Sequence, residues 1–176
     1  MKKNTTYKVV CSALCLALAM VLPFLTGQIP QIGKMLCPMH LPVFLCGFVC
    51  GWPWGLAVGF IAPLLRSAWL GMPLIFPDAA AMAFELAVYG LISGLLYRRL
   101  PKKVSSVYLS LLAAMLCGRV VWGIARLVFA GLQGSSFTFS AFIAGALTTA
   151  IPGIIVQLAL IPLVVLALRR AKLLAE

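Results

Sequence analysis

Two arginines, Arg119 and Arg126, stand in the stretch "MLCGRVVWGIARLVF", which otherwise reads as lipid-soluble helix. A guanidinium does not lose its charge in a protein, and burying an ion in hydrocarbon is costly unless a partner, water or ligand compensates it. Seven residues at about 100° each return to nearly the same helix face, so both arginines look the same way. Glu85 in "MAFELAVYG" and Arg66 in "APLLRSAW" are further ions in apolar surroundings. Arginines facing one cavity suit a carboxylate or phosphate, which they grip in bidentate fashion, while a carboxylate accepts from solute hydroxyl or amide groups.

Each residue also has a plainer role. Glu85 and one arginine can form a structural ion pair, and Arg126 can snorkel to an interface. Trp122 is placed to stack on a solute ring, although a tryptophan near a span end is commonly an interface anchor, as for Trp69. His40, at the end of "CPMH", serves either as a loop hydrogen-bonder or as a pH-sensitive gate. Asp78 follows Pro77 and precedes an alanine run, which reads as an N-terminal helix cap.

The elements that must position these groups are membrane helices. Of the 176 residues 64% are hydrophobic and 10% charged, which places the chain outside the range of soluble domains. That length holds five or six spans of about 20 residues and no separate soluble domain, so residues 1–176 form a single transmembrane unit. Hydropathy and Gly/Pro punctuation predict spans over about Val9 to Leu25, Leu41 to Gly51, Leu56 to Leu70, Ala79 to Tyr97, Val107 to Ala130 and Ala141 to Leu168. "GWPWG" reads as a turn between the second and third, and Pro152 or Pro162 as a kink in the last.

The charges test this expected all-α, six-helix integral membrane fold. Lys2, Lys3, Lys8, Arg98, Arg99, Lys102, Lys103, Arg169, Arg170 and Lys172 all fall on one side, which the positive-inside rule makes cytoplasmic along with both termini. Among the other basic residues only Lys34 is in a loop, on the opposite face. The net charge of +11 is thus topology and contact with anionic lipid, and nucleic acid is not an expected partner. The N-terminal lysines before an apolar run resemble a signal peptide, but "CLALAMVLPFL" is a poor cleavage site. Cys11, Cys15, Cys46, Cys50 and Cys117 read as small hydrophobes within helices. "CPMH" is short of the three or four ligands a metal site wants, so neither metal nor cofactor is expected.

At 1.5 Å per residue Glu85, Arg126, Arg119 and Arg66 lie roughly 12, 6, 16 and 8 Å below the outer face. They would line one polar cavity roofed by the loop carrying Lys34 and His40. The cytoplasmic half holds only uncharged polar groups such as Gln157 and Ser93. A through-channel needs polar lining along its length, and a proton-driven transporter shows related halves; neither pattern is present. No phosphate-binding G-x-x-x-x-G-K-[ST] loop occurs, so an energy source would be another chain. Ala13 and Ala17, four apart on the first span, make a small-residue groove where a partner helix can approach. Gly47, Gly51, Gly55 and Gly59 read as close packing inside the chain.

These features, together with "MHLPVFLCGFVCGWPWGLAVGFIAPLLRSAWLGMP", "MAFELAVYGLISGLLYR" and "AIPGIIVQLALIP", resemble the substrate-capture (S) component of energy-coupling factor (ECF) vitamin transporters, in the broad branch that includes pantothenate-type members. The resemblance implies a six-helix protein of the bacterial plasma membrane that works with a membrane T subunit and two ATPases in an ABC-type importer. It also implies that Ala13 and Ala17 dock on the T subunit. The expected function is capture of a small vitamin-like solute from outside, with an anionic, pantothenate-like solute first. Arg119 and Arg126 would clamp it, Glu85 orient it and the Lys34 loop close over it; a nitrogenous base held by Glu85 is the alternative. Competing readings are an intramembrane hydrolase using Glu85, His40 and Asp78, for which no nucleophile or metal spacing is present, and a structural or assembly protein in which the ion pairs fix helix register.

Overall fold

The computed structural model of the protein describes residues 4–26, 29, 35–134, 138–145, 149–171 and 173–174. Lys2, Lys3, Lys34 and Lys172 lie outside them. The described residues are helical, with no strand: α1 (Thr5–Val21) running into a 3-10 turn (Leu22–Thr26), α2 (His40–Cys50), α3 (Trp52–Leu70), a π turn (Ile75–Ala79), α4 (Ala80–Arg99), α5 (Val104–Leu132), the short α6 (Phe139–Ile143) and α7 (Ile151–Arg170). Among the described residues, four segments are long and apolar enough to cross a membrane: Thr5–Leu25, Ile75–Arg99, Val104–Leu132 and Ile151–Arg170.

The remaining two expected spans differ for different reasons. Nine of the 11 residues of α2 are buried, so this helix is enclosed by protein and needs no full bilayer length. Its rise is about 16 Å, half the hydrocarbon thickness. Helix α3 has 19 residues, but Arg66 and Pro63 dilute its apolar character.

Two expected boundaries are corrected. "GWPWG" is not a turn throughout: only Gly51, at φ 94°, turns, and α3 begins at Trp52 with Pro53 in its first turn, where a missing N–H costs nothing. The span expected over Ala141 to Leu168 is divided into α6 and α7, and Pro152 opens α7 instead of kinking a longer helix. Pro162 does lie inside α7.

Helix α4 is the centre of the bundle and packs on α2, α3 and α5, while α1 lies on α2 and α3, and α7 on α2 and α5. Glycines set the spacing. A Cβ on Gly90 would come within 2.2 Å of the Gly55 backbone, so α3 and α4 cross with main chains touching, a closeness that small residues alone allow. Helix α5 shows the reverse of a soluble amphipathic pattern. Val107, Leu111, Ala114 and Gly118 are buried, while Leu109, Leu112, Leu116, Val120, Ile124 and Leu127 form an exposed apolar stripe suited to lipid.

The two chain ends meet at one end of the bundle. Tyr7 Oη donates to the Leu173 carbonyl at 2.6 Å, and Arg169 Nη1 donates to the Lys102 carbonyl in the loop between α4 and α5. Lys102 Nζ in turn donates to the Tyr97 carbonyl at 2.7 Å and sits 4.0 Å from the Tyr97 ring centroid. Lys8, Arg98, Arg99, Lys103 and Arg170 belong to the same end, by their places in α1, α4 and α7 and just before α5.

Candidate functional site

At the opposite end, antiparallel α4 and α5 carry two acid–arginine pairs in one register. Glu85 lies seven residues after Asp78, and Arg119 seven before Arg126, so a single alignment of the two segments pairs both. Arg119 Nη1 is 2.9 Å from Glu85 Oε1, and Arg126 Nη1 is 2.5 Å from Asp78 Oδ1. Asp78 is therefore an ion-pair partner on the π turn and makes no helix-capping hydrogen bond. The signal was in the sequence: the seven-residue spacing of the arginines has a matching seven-residue spacing of acids.

The Glu85 pair is enclosed. Its side chains are 2% and 15% exposed for Glu85 and Arg119. Tyr89, one turn after Glu85, donates its hydroxyl to Oε1 at 2.8 Å. Its ring stacks on Phe44 of α2 at 4.7 Å and tilts against His40 at 5.4 Å. Gly118 makes room, since a Cβ there would come within 2.1 Å of the Tyr89 ring. Tyr89 thus fixes the carboxylate that Arg119, the residue after Gly118, reaches. Spacing drew no attention to Tyr89, because one hydroxyl in an apolar helix is unremarkable until its neighbour is an ion.

His40, the first residue of α2, completes the cluster, with Nε2 3.8 Å from Glu85 Oε1. Cys37 precedes it at φ 49°, a backbone region uncommon for a residue with a side chain, and its buried thiol lies against Arg119. Burial pushes that thiol up to about 11 despite the guanidinium pulling the other way, so it is a neutral thiol.

The structure brings together Glu85, Arg119 and His40, and distributes the other expected residues elsewhere. Arg126 has Asp78, and its guanidinium carbon is 6.0 Å from the ring centroid of Trp122, which stacks on Phe142 of α6 at 6.2 Å. Arg66, 4% exposed, donates to the Met20 carbonyl at 2.8 Å and faces Phe24, tying α3 to the end of α1. The single cavity expected for all four ions is thus replaced by three separate polar contacts. Ala13 and Ala17 are exposed on α1, opposite the buried Ser12, Cys15 and Ala19.

A cleft of about 140 Å³ between α1, α2 and α7, lined by Leu18, Leu41, Leu45 and Ile161 among others, offers only apolar contact and is not where the ions are. Chemically, the Glu85 cluster presents one carboxylate oxygen already receiving two donors, further guanidinium N–H groups, and an imidazole. It is a place for hydrogen-bond acceptors brought by a ligand. Comparison with known proteins adds the family: residues 7–165 match the family model described as ECF transporter, substrate-specific component. No curated protein and no solved structure matches.

Proposed function

This chain belongs to the substrate-specific components of ECF transporters, and from that premise we propose that it captures a small, vitamin-like solute bearing a carboxylate. Pantothenate is the first candidate. The observation that carries the reading is the enclosed Glu85, Arg119, Tyr89 and His40 cluster at the end of the bundle away from the basic termini. Arg119 holds the solute carboxylate with N–H groups beyond the one given to Glu85, and Glu85 keeps the guanidinium aimed. Asp78 and Arg126 fasten the π turn to α5 beside the site, with Trp122 below α6 as a wall.

Both termini lie in the cytoplasm in this reading, the cluster opens outward, and α2 and α3 complete a six-helix unit of a bacterial plasma membrane. The meeting of Tyr7 with Leu173 supports an even number of crossings, and the lysines and arginines at that end support its cytoplasmic side. A T subunit docks on the exposed Ala13 and Ala17 face, and two ATPases supply the energy.

Native mass spectrometry of the gently purified chain tests the capture reading. A carboxylate-bearing ligand is expected on the parent protein and on Arg126→Ala, whose side chain is taken by Asp78, and is expected to be absent from Arg119→Ala. A ligand that survives Arg119→Ala removes that residue from the site. A parent protein that stays empty with pantothenate and other carboxylate vitamins added removes the substrate class.

A further inference from the structure

The cluster contains a buried polar group whose needs are unmet. His40 is 3% exposed, and among the described residues neither ring nitrogen has a hydrogen-bond partner. Its distance of 3.8 Å from Glu85 Oε1 is too long for one, and that oxygen already takes Arg119 and Tyr89. Among the described residues, the titratable and charged groups around the ring are Glu85 and Tyr89 from α4, Arg119 from α5 and Cys37 just ahead of α2. Arg66 of α3 is turned to the Met20 carbonyl. Helices α1 and α7 also pack on α2, and their described residues at this end carry no titratable side chain.

Each state of the ring therefore lacks something. A neutral imidazole leaves one donor and one acceptor without partners in a water-poor site. A protonated ring would be a second cation beside a carboxylate that Arg119 already neutralises. An arriving carboxylate supplies what both states lack: an acceptor for the N–H and the negative charge that a second cation requires.

We propose that this site loads a carboxylate solute together with one proton, which His40 takes up as the anion enters. The inference rests on the capture reading above. The proton comes from solvent and adds to a ring nitrogen lone pair, the carboxylate stays ionised, and no other bond changes. The sign follows from linkage. Affinity is highest at low pH, where the free protein already holds the proton. It falls by up to tenfold per pH unit once the free ring is neutral, and levels off when the bound ring is neutral too.

The experiment is calorimetric titration of the full chain in lipid nanodiscs with pantothenate, at about pH 7.5. Buffers of different ionisation enthalpy count the protons. The expected result is close to one proton taken up per solute in the parent protein and none in His40→Gln. His40 is the only histidine in the chain, so nitrogen-15 histidine labelling follows this ring without any substitution. It is expected to pass from neutral to imidazolium as solute saturates. Binding without proton uptake, with the ring still neutral, overturns the proton link and leaves capture standing. Uptake that persists in His40→Gln overturns the assignment to His40. If neither pantothenate nor nicotinate binds at pH 5.5 or 7.5, the capture reading fails and takes this inference with it.

Discussion

The two acid–arginine pairs between α4 and α5 share a register and a chemistry, and differ in burial. Glu85 with Arg119 is enclosed at 2% and 15% side-chain exposure; Asp78 with Arg126 is 31% and 25% exposed. The tighter contact, 2.5 Å against 2.9 Å, belongs to the more exposed pair, so distance does not rank their importance. Burial does. Asp78 and Arg126 reach the surface of the bundle, whereas an ion orphaned beside Glu85 has only protein around it. The more exposed pair can therefore act as a fastening, and the enclosed one is the place where the proposed solute binding is to be tested.

Breaking the inner pair should give the largest effect. Arg119→Ala is expected to cost about 3–5 kcal/mol of stability, read as a fall in thermal midpoint of the purified chain. The double variant Glu85→Gln, Arg119→Met should recover most of that loss without recovering solute binding, because it removes the orphaned charge but not the need for a guanidinium. A recovered midpoint with solute still bound would place the binding group elsewhere. Next comes Gly118→Ala, whose added methyl pushes on the Tyr89 ring and should cost about 1–3 kcal/mol while weakening solute binding through a displaced Glu85. Loss of stability with unchanged affinity would separate packing from the site. The smallest effect is expected for Asp78→Asn, below about 1 kcal/mol by chemical denaturation. A cost as large as that of Arg119→Ala would mean the two pairs are energetically alike and the contrast drawn from burial is wrong.

Much of this was readable from residue order. The spans over α1, α4 and α5 follow from hydropathy alone, and the arginine face followed from a seven-residue separation. Of the four glycines read as packing residues, Gly47, Gly55 and Gly59 would each clash with α4 if they carried a side chain, whereas Gly51 has only Pro53 near it and turns the chain at φ 94°. Helix ends were harder. Pro53 and Pro152 both begin helices, and a proline before apolar residues signals a break or a start equally well until the backbone around it is known. The division of charges was harder still. For Arg66, Arg119 and Arg126 the partners were open because Asp78 carried a capping signature, and its pairing depends on how the segment leading into α4 lies against α5. With Asp78 counted, Arg66 is the arginine paired with a backbone carbonyl instead of an acid. The proposed anionic solute is therefore left to the donors around Arg119 and His40 rather than to a cavity shared by all the arginines.

The hydrogen bond from Tyr7 to the Leu173 carbonyl bears on how this molecule can be moved. It clasps the start of α1 to the segment just after α7, while Arg66 holds the far end of α1 through Met20. A helix secured at both ends is a handle and not a flap. Force applied to its exposed alanine face would be transmitted to the whole bundle as torque, with little peeling of one helix from the rest.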